Sequence, residues 1–241
     1  DRRLSIGYGV NGAMAEYIAV RQGIVHKIPD SLDFDKAALC EPFAVALHGL
    51  LDHTALTAAD RVLVMGPGAI GQLVAQAARS CGAKTVLVGL PQDQERLDAA
   101  RRAGIDVTLT RLTDEAMQEL TGGRGFDVAV DCTGAEPAIR QAMKAVKKAG
   151  TFIQLGLTKP ELTIDYSLLT AKELQIVGTF GHQYHNWEMA IELMASGKVQ
   201  VDHLITSRYD LEDWQRGFEE MQGSKGIKIL LYPNGEQGVE P

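Results

Sequence analysis

The chain has 241 residues, 45% of them hydrophobic and 23% charged, which is enough for one large domain or two small ones with a buried core. Its formal net charge of -7, from 24 Lys and Arg against 31 Asp and Glu, excludes the basic excess that nucleic acid binding requires. The three separated cysteines exclude a disulfide framework, and no apolar run approaches the ~20 residues that span a bilayer, so we expect a cytoplasmic protein without a membrane partner.

The first predicted element alternates apolar and polar side chains. Residues 12–20 read G-A-M-A-E-Y-I-A-V, a period of two that is typical of a strand, and glycines at 7, 9 and 12 mark turns before it. A strand of this kind, buried on one face only, belongs to antiparallel sheet. We therefore predict an antiparallel unit at the start of the chain.

From residue 60 to about residue 156, short β-branched runs alternate with longer alanine-rich stretches. This pattern is typical of βαβ units, in which helices join parallel strands. The predicted strands cover residues 61–65, 84–88, 106–110, 126–131, 150–155 and 174–178, and the predicted helices cover 69–80, 93–102, 113–120, 136–148 and 187–195. The fold class is therefore α/β, with a Rossmann-type doubly wound parallel sheet of six strands.

The end of the chain reads as strand, helix and strand over residues 204–209, 211–222 and 226–232. The parallel domain is therefore inserted between two pieces of another unit. We predict a first piece over residues 1–38, a dinucleotide-binding domain over 39–203, and a second piece with a polar tail over 204–241.

A G-x-G-x-x-G motif lies between the first predicted parallel strand and the helix after it. It consists of Gly66, Pro67, Gly68, Ala69, Ile70 and Gly71. The motif alone is weak, but the strand R-V-L-V-M before it and the helix after it match a turn that binds dinucleotides. In such a turn the first glycine allows the sharp bend, the second lets the backbone approach a pyrophosphate, and the third lets helix and strand pack closely. We predict a site for NAD or NADP at the positive end of this helix. The alternatives are an empty structural turn and a fold that binds a methyl donor.

An acidic residue that holds the ribose hydroxyls is expected about 20 residues after the glycine motif. The second strand is followed by Gly89, which has no side chain, and Asp93 comes four residues later. Asp93 either holds the ribose or caps the next helix, and Arg96 either meets the 2′-phosphate of NADP or lies on the surface in solvent. The sequence thus leaves the choice between NAD and NADP open.

Eight segments, each weak alone, occur in a recognisable order. They are 12–20 (G-A-M-A-E-Y-I-A-V), 27–30 (K-I-P-D), 39–49 (L-C-E-P-F-A-V-A-L-H-G), the glycine motif, 96–104 (R-L-D-A-A-R-R-A-G), 131–134 (D-C-T-G), 155–157 (L-G-L) and 226–231 (G-I-K-I-L-L). Together they resemble the zinc-containing medium-chain dehydrogenases of the alcohol, sorbitol and threonine dehydrogenase type. The resemblance implies that the flanking pieces belong to a GroES-like catalytic domain. It also implies that the principal catalytic residues and zinc ligands lie upstream, so we expect a C-terminal portion that binds cofactor and is inactive alone.

The resemblance implies further site residues. Glu41 takes the place of a glutamate beside the catalytic zinc, as a ligand or through the metal-bound water, and the alternative is an ordinary residue of a helix's first turn. Cys40 is expected to be a small buried residue. Cofactor contacts are implied for the loops after the last three parallel strands and for one basic residue, namely Cys132, Thr133, Gly134, Leu155, Gly156, Leu157, Gly178, Thr179, Phe180 and Lys228. For Lys228 the alternative is an exposed strand lysine. For His182 and His185, an H-x-x-H pair, we favour surface or substrate-cleft roles over metal binding.

The expected function is that of an NAD(P)-dependent and zinc-dependent dehydrogenase, which transfers hydride between a secondary alcohol or polyol and the nicotinamide. One alternative is a zinc-independent quinone or enone reductase of the same superfamily, against which Glu41 argues. Another is a non-catalytic module that senses nucleotides. The resemblance also implies a homodimer or homotetramer, with an edge strand near residues 174–178 at the interface.

Overall fold

The computed structural model describes residues 5–223 and 226–235. Its described residues form two compact units. The larger unit runs from Asp30 to His203, and the smaller one combines the segment up to Pro29 with the segment from Leu204 onward. Within the described part of the chain, no helix is long and apolar enough to cross a membrane.

The larger unit is built on a parallel sheet of six strands. They are β1 (Arg61–Met65), β2 (Lys84–Val88), β3 (Val107–Leu109), β4 (Phe126–Asp131), β5 (Val146–Gln154) and β6 (Gln175–Gly178), in the spatial order β3-β2-β1-β4-β5-β6. All neighbouring pairs are parallel. The strands that follow β1 extend the sheet to one side, through β2 to β3, and the chain then returns to the other side of β1 with β4. Doubly wound sheets bind ligands at this switch point between β1 and β4. The predicted fold class is confirmed.

The helices of this unit bury both faces of the sheet. They are α1 (Phe34–Ala37), α2 (Cys40–Leu51), α3 (Ala69–Ser80), α4 (Gln94–Arg102), α5 (Asp114–Thr121), α6 (Glu136–Ala145), α7 (Ser167–Lys172) and α8 (Tyr184–Ala195). Leu63 packs in one core cluster with Ile139 and Met143 of α6. Val62 and Val64 point to the opposite face and are also fully buried. A central strand covered on both faces therefore reads as a continuous apolar run.

The predicted boundary between the helix at 136–148 and the strand after it is wrong. The helix α6 ends at Ala145, and β5 begins at Val146 rather than at residue 150. Val146 is buried and pairs with Phe126, and after a register shift Thr151 pairs with Val128. The apolar spacing of the helix continues into the strand, so periodicity could not reveal where one ends.

The predicted strand over residues 12–20 is also wrong. In residues 5–29 the structure has an isolated bridge between Ile6 and Val10, and residues 13–20 are exposed, with bends or irregular backbone. Alternating sequence forms a strand only when a neighbour pairs with its N–H and C=O groups. Within the part of the chain that is described, no strand pairs with this segment.

The smaller unit contains a parallel pair of strands, for which no pairing direction was predicted. Its strands β7 (Ile205–Asp210) and β8 (Lys228–Tyr232) are joined by α9 (Trp214–Gln222) and pair in parallel. The connecting helix begins three residues after the predicted position 211, because a short 3-10 turn, Leu211–Asp213, comes first. The strands themselves lie where they were predicted.

Within the larger unit, a carboxylate joins α2 to α8. Asp52 follows α2, and its side chain lies 2.7 Å from His48 Nδ1 and 3.0 Å from His185 Nε2, while Asn186 Nδ2 donates to it at 3.2 Å. Asn186 also accepts from the Gln183 N–H, which is why α8 begins before the predicted residue 187. Burial alone raises the pKa of Asp52, but the hydrogen bonds of its three partners outweigh burial and hold that pKa below its ordinary value of 3.8.

Replacing Asp52 with asparagine should lower the free energy of unfolding by about 1 to 2 kcal/mol at neutral pH. Because the folded pKa lies below the unfolded one, the carboxylate's contribution is present above pH 3.8 and is lost as the pH falls through the folded value. Urea unfolding of parent and D52N at neutral pH and below pH 3.8 tests this. A stability gap that stays constant across that range would contradict it.

Candidate cofactor site

The glycine motif forms the turn between β1 and α3. Gly66 has a φ of +102°, which side chains rarely adopt, and its N–H donates to the Val88 carbonyl at 2.8 Å. A Cβ on Gly71 would lie 1.8 Å from the Gly66 carbonyl oxygen, so α3 can approach the strand only with glycine there. At Gly68, the N-cap of α3, an added Cβ would meet nothing within 4 Å.

The first turn of α3 therefore faces open space. Ala69 and Ile70 form this turn, and no side chain caps it. The N–H groups at a helix N-terminus lack partners within the helix and favour anions. The geometry fits the pyrophosphate of a dinucleotide, since it combines an open approach at Gly68 with uncapped donors.

A buried glutamine fixes the turn. Gln72 is fully buried, and its Nε2 donates to the Pro67 carbonyl at 2.9 Å and to the Arg96 carbonyl at 3.4 Å. Its Oε1 lies 3.0 Å from His203 Nε2, and burial lowers the pKa of His203. Gln72 was not predicted as a site residue from the sequence. The sequence feature that could have revealed it is a polar residue on the apolar face of a helix that is otherwise rich in alanine.

Asp131, at the end of β4, organises the loop after that strand. It is fully buried. Its Oδ1 accepts from the Thr133 hydroxyl at 2.6 Å and the Thr133 N–H at 3.3 Å, and its Oδ2 accepts from the Gly134 N–H and from Gln154 Nε2, both at 2.8 Å. Asp131 lies in the D-C-T-G segment, and no role was predicted for it from the sequence. A charged residue ending a buried strand before Thr and Gly is the signal that could have revealed it.

The loops after β4 and β5 contact each other through their backbones. Gly134 has a φ of +67°, and a Cβ there would lie 1.9 Å from the Leu157 carbonyl oxygen. A Cβ on Gly156 would lie 2.4 Å from the Gly134 nitrogen. Thr133 in turn contacts Gly66, where an added Cβ would lie 2.7 Å from the Thr133 Cγ2. The structure thus brings together the glycine motif and both predicted loops.

Burial raises the pKa values of two thiols, Cys132 and Cys40. Burial raises the pKa of Cys132 well above its ordinary value, and the Asp131 charge raises it further. Cys40 is buried as predicted, and burial raises its pKa to about 11. The raised pKa values favour the protonated thiols, which are weaker nucleophiles than thiolates.

The loop after β6 carries an unsatisfied hydroxyl. Gly178 ends β6, and the Thr179 N–H donates to the Gln154 carbonyl at 3.2 Å. The Thr179 Oγ1 is buried and has no hydrogen-bond partner among the described residues. Leu157 and Phe180 are 81% and 70% exposed. A buried hydroxyl without a partner among the described residues, in a loop that also carries the exposed Phe180, is compatible with the nicotinamide end of a cofactor.

Glu41 lies in the first turn of α2, and its side chain is 54% exposed. His182 Nε2 lies 3.6 Å from Glu41 Oε1, and His182 Nδ1 accepts from the Trp187 indole N–H at 3.0 Å. His185 faces Asp52 instead, so the two histidines of the H-x-x-H pair have different partners. Among the described residues there is no group of three or more His, Cys, Asp or Glu side chains that could hold a metal ion. These residues alone therefore do not form the three-ligand site that catalytic zinc requires.

The remaining predicted contacts are Asp93, Arg96 and Lys228. Asp93 and Arg96 lie beside the glycine turn, where the Asp93 Oδ2 accepts from the Leu90 N–H at 2.9 Å. Lys228 lies in β8 of the smaller unit. A cavity of about 390 Å³ opens between α5 and α6, but its lining does not include the glycine motif. The candidate site is thus the open edge of the sheet rather than an enclosed pocket.

Comparison with known proteins identifies the family. The sequence pattern described as zinc-binding dehydrogenase matches residues 69–196, which is more than half of the chain. The chain belongs to the zinc-binding dehydrogenase family. The predicted resemblance is confirmed.

Relatives within this family extend over nearly the whole chain. A D-arabitol-phosphate dehydrogenase from Enterococcus avium is 32% identical and covers 98% of this chain and 68% of its own length. A sorbitol dehydrogenase from Halalkalibacterium halodurans is 35% identical, with 97% and 69% covered. The crystal structure of 2R,3R-butanediol dehydrogenase from Bacillus subtilis matches with a TM-score of 0.85 and 30% identity over 95% of this chain and 67% of its own. The chain therefore spans about two thirds of the length of these zinc-binding dehydrogenases.

Proposed function

We propose that the protein containing this chain is an NAD(P)-dependent dehydrogenase that transfers hydride between a small secondary alcohol or polyol and the nicotinamide. The observation that carries the proposal is the glycine turn, which is open over Gly68 and contacts the loop after β4. Polyol chemistry is supported by the named activities of the relatives, which include a sorbitol and an arabitol-phosphate dehydrogenase.

The residues of this chain would bind and orient the cofactor, which itself supplies the hydride chemistry. The first turn of α3 binds the pyrophosphate, with Gly68 allowing close approach. The loops around Gly134 and Gly156 support the ribose and nicotinamide, and Thr179 offers the hydroxyl that lacks a partner among the described residues. Lys228 remains a proposed pyrophosphate contact.

Glu41 is the proposed metal-facing carboxylate of this chain. An exposed carboxylate oriented by His182 suits a position beside a zinc ion, as a ligand or through the metal-bound water. The other ligands are not found among residues 5–223 and 226–235. In that place Glu41 would hold or orient the zinc ion and its bound water.

Replacing Glu41 with glutamine should leave NAD(P) affinity unchanged and lower kcat/KM for the alcohol by about 10- to 100-fold. The effect is expected on turnover because Glu41 lies in the first turn of α2 beside His182, whereas the pyrophosphate is proposed to lie on the first turn of α3. Glu188→Gln is the control, since Glu188 is exposed on α8, which packs against α2. Unchanged turnover in E41Q would remove Glu41 from the proposed site.

The proposed reaction is tested with the full-length protein that contains this chain. Sorbitol, xylitol, arabitol phosphate and 2,3-butanediol are offered with NAD or NADP, and the absorbance of the reduced nicotinamide is followed. We expect reduction with at least one of these alcohols, loss of activity with a chelator, and recovery with zinc. Reduction of a quinone or enone without zinc would support the reductase instead. Cofactor-dependent association with another protein, without hydride transfer, would support the sensing module.

Homo-oligomer formation and a cytoplasmic location are further proposals. Within the described sheet β6 is an edge strand, and Ile176 on it is 42% exposed. An edge strand offers its backbone N–H and C=O groups to a second copy. Light scattering should give a dimer or tetramer, and a monomer at all concentrations would contradict the assembly.

A further inference from the structure

The peptide between Pro67 and Gly68 leads directly into the first turn of α3. Pro67 is buried, and its carbonyl oxygen accepts from Gln72 Nε2 at 2.9 Å. The C=O and N–H groups of a trans peptide point in opposite directions, and the described chain contains no cis peptide bond. The bond to Gln72 therefore fixes the direction of the Gly68 N–H, which points away from the glutamine.

The side-chain amide of Gln72 has one favourable orientation in this place. Its nitrogen donates to two carbonyl oxygens, those of Pro67 at 2.9 Å and Arg96 at 3.4 Å. If the amide were turned over, its oxygen would face both carbonyl oxygens, and none of these atoms could donate a proton. The amide oxygen therefore faces the other way. Because Gln72 is fully buried, this oxygen needs a donor from the protein.

His203 supplies that donor. It is the last residue of the larger unit, and its Nε2 lies 3.0 Å from Gln72 Oε1. Burial lowers the pKa of His203, so the ring is neutral at neutral pH and carries a single proton. Since an amide oxygen only accepts hydrogen bonds, the contact assigns this proton to Nε2.

A second glutamine, one turn further along α3, contacts the same segment. Gln76 is buried, its Nε2 donates to the Gln200 carbonyl at 2.7 Å, and its Oε1 accepts from the Gln200 N–H at 2.8 Å. Both glutamines therefore attach residues 200–203 to α3. Gln72 also contacts the phosphate-binding turn, whereas the amide nitrogen and oxygen of Gln76 are both bonded to Gln200. The two residues thus allow attachment of the segment to be separated from positioning of the turn.

Resting on the proposed function, we infer that His203 is a positioning residue for the cofactor: its Nε2–H orients Gln72, and Gln72 holds the Pro67–Gly68 peptide in the direction that binds the pyrophosphate. Without the His203 donor, the buried Gln72 oxygen would be unsatisfied, and the amide would rotate toward another partner. The Pro67 carbonyl would then lose its donor, and the Gly68 N–H would lose its fixed direction. Cofactor binding would have to restore that order at a cost in affinity.

His203→Leu tests this inference in the full-length protein that contains this chain. Leucine fills the space of the ring and offers no N–H. The dissociation constant and the KM for whichever of NAD and NADP binds to the parent protein should therefore rise about tenfold. The kcat with saturating nucleotide should stay at the parent value, because His203 is inferred to act on binding alone.

Two further variants at this residue and one control distinguish positioning from packing. His203→Gln should restore the parent affinity, because the glutamine amide nitrogen reaches the place of Nε2. His203→Asn should not, because its shorter side chain puts the nitrogen near the place of Nδ1. Gln76→Leu, the matched control, should lower the free energy of unfolding and keep the parent affinity. A loss of affinity in Gln76→Leu as large as in His203→Leu would overturn the inference.

A measurement on the parent protein keeps the inference testable if His203→Leu does not fold. Nitrogen NMR of protein with isotopically labelled histidine, with the His203 signals assigned by their loss in His203→Gln, should show the tautomer protonated at Nε2. The Nδ1–H tautomer would overturn the inference and leave the proposed function intact, as would equal nucleotide affinity of parent and folded His203→Leu. Binding of neither NAD nor NADP by the folded parent would overturn the proposed function itself, and the inference with it.

Discussion

Replacing Gly71 with alanine should lower the free energy of unfolding by about 3 kcal/mol and remove cofactor binding. The added Cβ would lie 1.8 Å from the Gly66 carbonyl oxygen and 3.0 Å from its carbon, and both are backbone atoms that cannot rotate away. Either α3 or the turn must shift, and both changes move the N–H groups that bind the pyrophosphate. Urea unfolding and NAD titration of the variant measure the two effects.

Gly68→Ala is the matched control within the same motif. Gly68 has a φ of -71°, and an added Cβ would meet nothing within 4 Å, so the free energy of unfolding should not change. Cofactor affinity should still fall by about 10- to 100-fold, because the methyl group would stand where the pyrophosphate approaches. If Gly68→Ala bound NAD as tightly as the parent, the pyrophosphate could not lie over this turn.

Asp131→Ala should lower the free energy of unfolding by about 3 to 5 kcal/mol. The substitution leaves the Thr133 N–H and hydroxyl, the Gly134 N–H and the Gln154 amide without their shared acceptor in a buried site. The loop that contacts Gly66 would lose its fixed shape, so NAD affinity should fall together with stability.

Asp127→Ala separates these two effects. Asp127 lies near the other end of β4, where its side chain accepts from the Arg61 N–H and pairs with Lys147. This variant should also be less stable but should bind NAD as the parent does, provided that both are measured where they are folded. Equal losses of affinity in D131A and D127A would show that Asp131 acts through stability alone.

The strands of the sheet and the glycine turn could be predicted because their signals are local. A buried parallel strand reads as an apolar run, such as residues 61–65, and the turn after it needs glycine at fixed spacings. The end of α6 could not be predicted in this way, because Val146 continues the apolar spacing of the helix while pairing with Phe126.

Other parts of the candidate site depend on contacts between distant residues. Asp52 and His185 are 133 positions apart, and the fold alone brings them together. The same holds for Glu41 and His182, and no periodicity encodes either pair. The prediction of a strand at residues 12–20 was wrong for a related reason. A strand forms only when a neighbouring strand pairs with it, and the segment itself does not specify that neighbour.

We propose that the turn between β1 and α3 binds a dinucleotide through its backbone. Calorimetric titration of this chain with oxidised and reduced NAD and NADP measures this binding, with Gly71→Ala as the negative control and circular dichroism to confirm folding. We predict saturable binding of one nucleotide per chain by the parent protein. If folded protein gave no heat of binding with any of the four nucleotides at millimolar concentration, the turn would not be a dinucleotide site.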